Sequence, residues 1–225
     1  MTGKKDPRWA KQFGDFGEQL VMYVIGRYKN MKVALVDHAG ADLIASDLGH
    51  SENRYAISVK SHAVGVRTDN DGRVIIESKS FTFDGHNVRE LIDFAKGFGL
   101  REAISMVIVQ PIVDQVNENW IERKEKAEKA KKYFEPHEKL VIDVFTFLLE
   151  DVEKMIGEGK RYFTVNKRVG GFNFNFENAY FEELINDERI DHVRLHFDTL
   201  SNVREWDRQH PMNRNFAQQA ISEEQ

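Results

Sequence analysis

Gly40-Ala41-Asp42-Leu43-Ile44-Ala45 and, twelve residues on, Ile57-Ser58-Val59-Lys60-Ser61 decide how this chain reads. Both segments are apolar enough for buried strands, yet each carries one charge, Asp42 in the first and Lys60 in the second. An unpaired charge away from water is expensive, so buried strands seldom hold one without a partner. Two neighbouring strands that each place a charge near one spot point to a phosphate or metal site. The intervening Leu48-Gly49-His50-Ser51-Glu52-Asn53 is a polar hairpin connection. In the second strand a period of two puts Tyr55, Ile57 and Val59 on one face and Ala56, Ser58, Lys60 and His62 on the other. The first face is large and apolar; the second is small, polar and ends in cations.

Upstream, residues from Asp6 onward predict a helix. Pro7 suits a first turn, and Trp9, Phe13, Phe16, Leu20, Val24 and Tyr28 recur three and four apart. Glu18 borders this stripe, level with Gly14, Val21 and Ile25. Residues 31–36 form a short strand and 37–40 a turn in which Gly40 can take a positive φ. Downstream of a loop around Gly72, residues 74–76 predict a strand and 87–98 a helix that ends near Gly97 and Gly99. Residues 103–110 are almost continuously apolar, as a strand buried on both faces requires. The order helix, three strands, helix, strand gives an α/β core over residues 1–112.

Residues 113–225 read as a helical and α/β extension packed on that core. Helices are expected over 116–133 and 140–156, strands over 162–165 and 172–176, a short helix over 179–185 and a last strand over 192–197. The charge run Glu122–Lys132 has mixed signs, as on a solvated helix face. Residues 202–225 form a polar tail.

Composition removes several function classes. With no cysteine, disulfides, thiolate metal sites and thiol catalysis are excluded. No apolar run is long enough to span a membrane, and the basic N-terminus lacks the apolar stretch of a signal peptide, so a cytoplasmic protein is the default. A net charge of −5 argues against a nucleic-acid coat protein but not against a nuclease, which gathers carboxylates at its metal. Phosphate-loop, dinucleotide and Gly-x-Ser-x-Gly motifs are absent.

Helical Glu18, Gly40-x-Asp42 entering a strand, and Ser58-Val59-Lys60 on the next strand together resemble the PD-(D/E)xK nuclease superfamily. The nearest likeness is to archaeal Holliday-junction resolvases and other restriction-endonuclease-like DNA enzymes, over roughly residues 10–110. The resemblance implies a restriction-endonuclease-like α/β core, a mixed central sheet flanked by helices, and Mg2+-assisted (or Mn2+-assisted) hydrolysis of DNA phosphodiester bonds. It implies Asp42 as central metal ligand, Lys60 as catalytic lysine and Glu18 as helix-borne carboxylate. The Val59 backbone carbonyl would be a further ligand, and Ser58 would act through water. The expected partner is duplex or branched DNA, with a homodimer where two strands must be cut and no membrane.

One position departs from the pattern. The superfamily usually carries Asp, Glu or Gln where this chain has Ser58, and a hydroxyl is a weaker ligand for a hard cation than a carboxylate. That keeps open a second reading, a catalytically impaired nuclease-fold protein that binds nucleic acid or a protein. In a third, Asp42 and Lys60 are only a structural pair in an unrelated α/β interaction domain. Glu77-Ser78-Lys79 offers another Glu-x-Lys, with Glu77 as a migrated carboxylate. His62 shares the Lys60 face and could meet a phosphate; a polar strand end is the plainer reading. His38 reads as a turn residue. The Phe/Asn alternation over 172–176 fits a half-buried strand, or else a base-stacking surface.

Overall fold

The computed structural model describes residues 7–50, 52–64, 66–68, 74–76, 80–111 and 139–198. The expected helix over 116–133, the tail from 202 and Glu77 lie outside these residues. The chain divides into two compact units, Met1–Gln110 with Ile142–Leu195 and Pro111–Val141 with His196–Gln225. The candidate site and both hydrophobic layers belong to the first.

Among the described residues the order is α1 (Pro7–Tyr28), β1 (Met31–His38), β2 (Ala41–Asp47), β3 (Arg54–Ala63), β4 (Val66–Thr68), β5 (Val74–Ile76), β6 (Ser80–Phe83), α2 (Gly85–Phe98) and β7 (Arg101–Pro111). There follow β8 (Lys139–Leu148), α3 (Leu149–Gly157), β9 (Phe163–Asn166), β10 (Gly171–Asn175), α4 (Asn178–Ile185) and β11 (Ile190–Asp198). Six strands form one sheet in the order β1-β2-β3-β7-β8-β11. β1, β2 and β3 pair antiparallel, whereas β3 and β7 run parallel in the register Tyr55↔Arg101 to Ala63↔Val109. The sheet is therefore mixed and flanked by helices, with the order helix, three strands, helix, strand at its centre. This is the architecture expected of a restriction-endonuclease-like core. β6-β10-β9 make a second, three-stranded sheet and β4-β5 a short ribbon, so more strands intervene between β3 and α2 than the sequence suggests.

Two apolar layers sandwich the large sheet. On one face Val21, Val24 and Ile25 of α1 pack with Leu43, Ala45, Ile57, Val59 and Val107. On the other, Ala56, Ile104, Met106, Ile108, Phe145 and Phe147 pack with Leu91 and Phe94 of α2 and with Phe83, Phe172 and Phe174 of the small sheet. Alternation along β7 feeds both layers, the reason its sequence is apolar without a period. Each large side chain so buried contributes about 1.5–3 kcal/mol.

α2 begins where Asp84, in extended geometry, accepts the His86 N–H at 2.7 Å. It ends at Gly99, whose φ of 62° is the left-handed conformation that closes many helices.

Three expectations are corrected. Residues 140–156 are not one helix: residues up to Leu148 are strand β8, and α3 starts at Leu149. Val141, Val144, Phe145 and Leu148 match a helical period by coincidence, but the segment is β-branched and aromatic and pairs between β7 and β11. The buried face of α1 is also shifted from the expected stripe, since Phe16 and Tyr28 are exposed while Val21 and Ile25 beside it are buried. The small face of β3 is covered too. Ala56 through Val59 are all buried, Ser58 at 5% exposure, because β3 lies between two covered faces.

Candidate functional site

Two glycines set the elements around Asp42 and Lys60. Gly40 has φ 86°, and a Cβ there would stand 2.4 Å from the Glu90 and Leu91 backbone of α2. Only glycine lets the β1–β2 turn lie against that helix, two residues before Asp42. Gly17 of α1 brings the helix onto β3 next to Glu18, since a Cβ at Gly17 would meet Ser61 Oγ.

The described pairing of β2 with β3 ends at Leu43↔Ile57, and there Asp42 takes over from the ladder. Its Oδ2 accepts the Val59 N–H at 2.5 Å and lies 3.4 Å from the Ser58 hydroxyl, which donates toward it. Lys60 Nζ is 3.9 Å from the same oxygen. Asp42 and Lys60 side chains are 26% and 29% exposed, so an ion pair of this length is worth only ~0–1 kcal/mol. The shorter contact is the structural one, because it satisfies an N–H on a residue that is 7% exposed.

Asp42, Ser58, Val59 and Lys60 thus converge, as their strand positions anticipate. Glu18 is half-buried on α1 beside Gly17. Among the described residues no group of three His, Asp or Glu side chains could hold a metal. The strand donors are one carboxylate and a hydroxyl directed at that same carboxylate. A Mg2+ ion held by so few protein oxygens would have to keep most of its waters.

His62 packs against two aromatic rings. Its ring meets Phe81 at 6.1 Å and Phe176 at 5.8 Å, edge-on to both. His38 is exposed at the end of β1, Nδ1 2.8 Å from the Ala39 carbonyl and ring 4.6 Å from Phe94. A cavity of about 320 Å³ opens on the α1 side, lined by Val24, Ile25, Ile57 and Val144 with Lys29 and Asp191, and none of the candidate site residues borders it.

A second polar centre has only a faint signal in the sequence. Asp143 of β8 is 1% exposed. Its Oδ1 accepts His192 Nε2 and Arg194 Nε, each at 2.7 Å; its Oδ2 accepts Gln110 Nε2 at 2.6 Å and Arg194 Nη2 at 3.0 Å. Burial pushes the Asp143 carboxyl up, but hydrogen bonds from His192 and Arg194, with their charge, hold it below its ordinary value. With both oxygens engaged, this carboxylate reads as a structural anchor between three strands. A lone aspartate in an apolar run is the one hint the sequence offers, and its partners are distant along the chain.

No protein-family model matches the chain, and no curated protein matches it. Among solved structures it is similar to Hjc of Archaeoglobus fulgidus, a Holliday junction resolvase from an archaeal hyperthermophile, with 17% identity and a TM-score of 0.32. The match covers 42% of this chain and 64% of that one, just under two-thirds of the resolvase's length. The side chains, not this likeness, carry the functional reading.

Proposed function

We propose that the chain is a divalent-metal-dependent nuclease that hydrolyses DNA phosphodiester bonds at the Asp42–Lys60 corner. The supporting observation is the convergence of Val59 N–H, Ser58 hydroxyl and Lys60 ammonium on one oxygen of Asp42. Asp42 and Glu18 would hold Mg2+ or Mn2+, with the Val59 carbonyl as a further oxygen and Ser58 acting through water. The bound ion supplies charge that polarises the phosphate and acidifies a water. At 3.9 Å, Lys60 is beyond direct hydrogen-bonding reach of Asp42, so its N–H groups stay available for a phosphate oxygen or the attacking water.

Cleavage of plasmid and four-way-junction DNA in Mg2+ or Mn2+ tests this. Asp42→Asn and Lys60→Ala should each lower the rate on the order of 10²-fold or more. Wild-type rates in both variants would refute it.

One observation favours a second reading, a nuclease-fold protein that binds nucleic acid or a protein without cutting. At the position expected to supply a carboxylate, the buried Ser58 hydroxyl points at Asp42. No cleavage by wild type, with a melting temperature still raised by Mn2+, selects that reading.

A further inference from the structure

The small sheet β6-β10-β9 has two unlike faces. Phe172, Phe174 and Phe176 are buried toward the core, so the alternate residues of β10 face outward. Asn173 stands between Thr82 of β6 and Thr164 of β9, and Asn175 is paired with Ser80. These outward rows contain hydroxyls and amides only, with no carboxylate and no aliphatic or aromatic anchor.

The array is internally ordered. Asn173 Oδ1 accepts from Thr82 Oγ1 at 2.8 Å and from Asn166 Nδ2 at 2.9 Å, and Asn173 Nδ2 donates to Thr164 Oγ1 at 3.3 Å. Asn175 Nδ2 donates to the Arg161 carbonyl at 2.9 Å. Each primary amide has two N–H groups and these contacts use one. The second N–H of Asn166, Asn173 and Asn175 and the Thr164 O–H are what the face can still offer. It is a preorganised set of donors.

Cations flank it. Arg161 precedes β9, Lys167 and Arg168 follow it, and all three are exposed. None has an ion pair among the described residues, whereas nearby Lys160 is bound to Glu183 and Arg189 to Glu158. At the β9 edge one carboxylate, Glu177, shares a shallow groove with Arg161, Thr164 and Asn175, and Val165 and Tyr180 also line it.

Fixed neutral donors between unpaired cations match a run of phosphate oxygens, the contact type that positions a nucleic-acid backbone without reading bases. A protein partner would need an apolar centre that these rows lack. We propose that the outer face of β6-β10-β9 grips the phosphate backbone of the DNA. This deepens the nuclease reading and rests on it for the choice of DNA.

The test is fluorescence anisotropy of the full chain with fluorescein-labelled duplex and single-stranded DNA in EDTA, where cleavage plays no part. The combined Arg161→Gln, Lys167→Gln and Arg168→Gln variant should raise Kd roughly tenfold or more and lower the log–log salt slope by about two to three. Asn173→Asp keeps the shape and the acceptor but puts a negative charge amid the donors. It should weaken binding several-fold while the melting temperature holds. Unchanged affinity and salt slope in both variants would overturn the proposal, as would equal binding to polyglutamate. Loss of cleavage with this binding pattern intact would instead overturn the nuclease reading alone.

Discussion

Gly17 of α1 lies so close to Ser61 of β3 that a Cβ on the glycine would stand 1.8 Å from the serine Oγ and 3.2 Å from its Cβ. That hydroxyl is also buried without a hydrogen-bond partner among the described residues. The contact fixes how near α1, and with it Glu18, comes to the strand that carries Lys60.

Gly17→Ala should therefore lower the melting temperature, although alanine is the better helix former by about 1 kcal/mol. Ser61→Ala removes an unsatisfied polar group and should be neutral or stabilising. Combined, the two should couple by roughly 0.5–3 kcal/mol, the alanine at 17 costing less once the hydroxyl is gone. Thermal or urea unfolding of the four proteins measures this, and simple additivity would contradict it.

Asp42 has a structural role separable from chemistry. Asp42→Asn retains an acceptor for the buried Val59 N–H, whereas Asp42→Ala strands that donor. Urea unfolding should show the alanine variant weaker than the asparagine variant by about 1–3 kcal/mol. Both should lose metal-dependent cleavage, so stability and activity diverge only for asparagine.

Ser58→Glu restores a carboxylate at a position 5% exposed. Without metal, a second negative charge beside Asp42 should depress the melting temperature in EDTA. With Mn2+ the same variant should gain more thermal stability than wild type, because a ligand that binds only the folded state stabilises it in proportion to affinity. An equal Mn2+ shift in both proteins would exclude Ser58 from the metal's surroundings.

Asp143 predicts a pH signature. Its folded carboxyl is held below the ordinary value, so it stabilises the fold above about pH 4 and that contribution is lost as pH falls through the folded pKa. Arg194→Gln removes one of the groups that depress it. The stability gap between wild type and Arg194→Gln should be wide near neutrality and narrow in acid, read from urea unfolding at several pH values. A gap independent of pH would separate Arg194 from the charge of Asp143.

The parts of the chain that are legible in the sequence are those whose cause is local. The helix that buries Val24, the positive φ of Gly40 and the buried alternation of Phe172 and Phe174 each follow from spacing or from one residue type, whereas the burial of Val21 and Ile25 in place of Phe16 and Tyr28 does not. Asp42 and Lys60 are legible because a charge on an apolar strand demands a partner, and β2 and β3 are joined by a short hairpin. β8 is ambiguous because its apolar positions satisfy both periods, and only pairing with β7 and β11 chooses between them. The Asp143 centre is hidden for a related reason: Gln110, His192 and Arg194 reach it only through the sheet. Burial of Ser58 likewise depends on the layer over β3, which no local pattern in β3 reveals.

The place of β7 inside the large sheet also shapes how the protein must be made. Its outer neighbour β8 begins only at Lys139, so during synthesis β7 leaves the ribosome on the order of seconds before the strand that will cover its free side. For that interval the apolar run Ala103 to Ile108 would present an unpaired edge, the kind of template on which nascent chains aggregate. Folding of the large sheet is thus tied to completion of the second half of the chain, and a chain truncated after β7 should accumulate in inclusion bodies rather than as a small autonomous core.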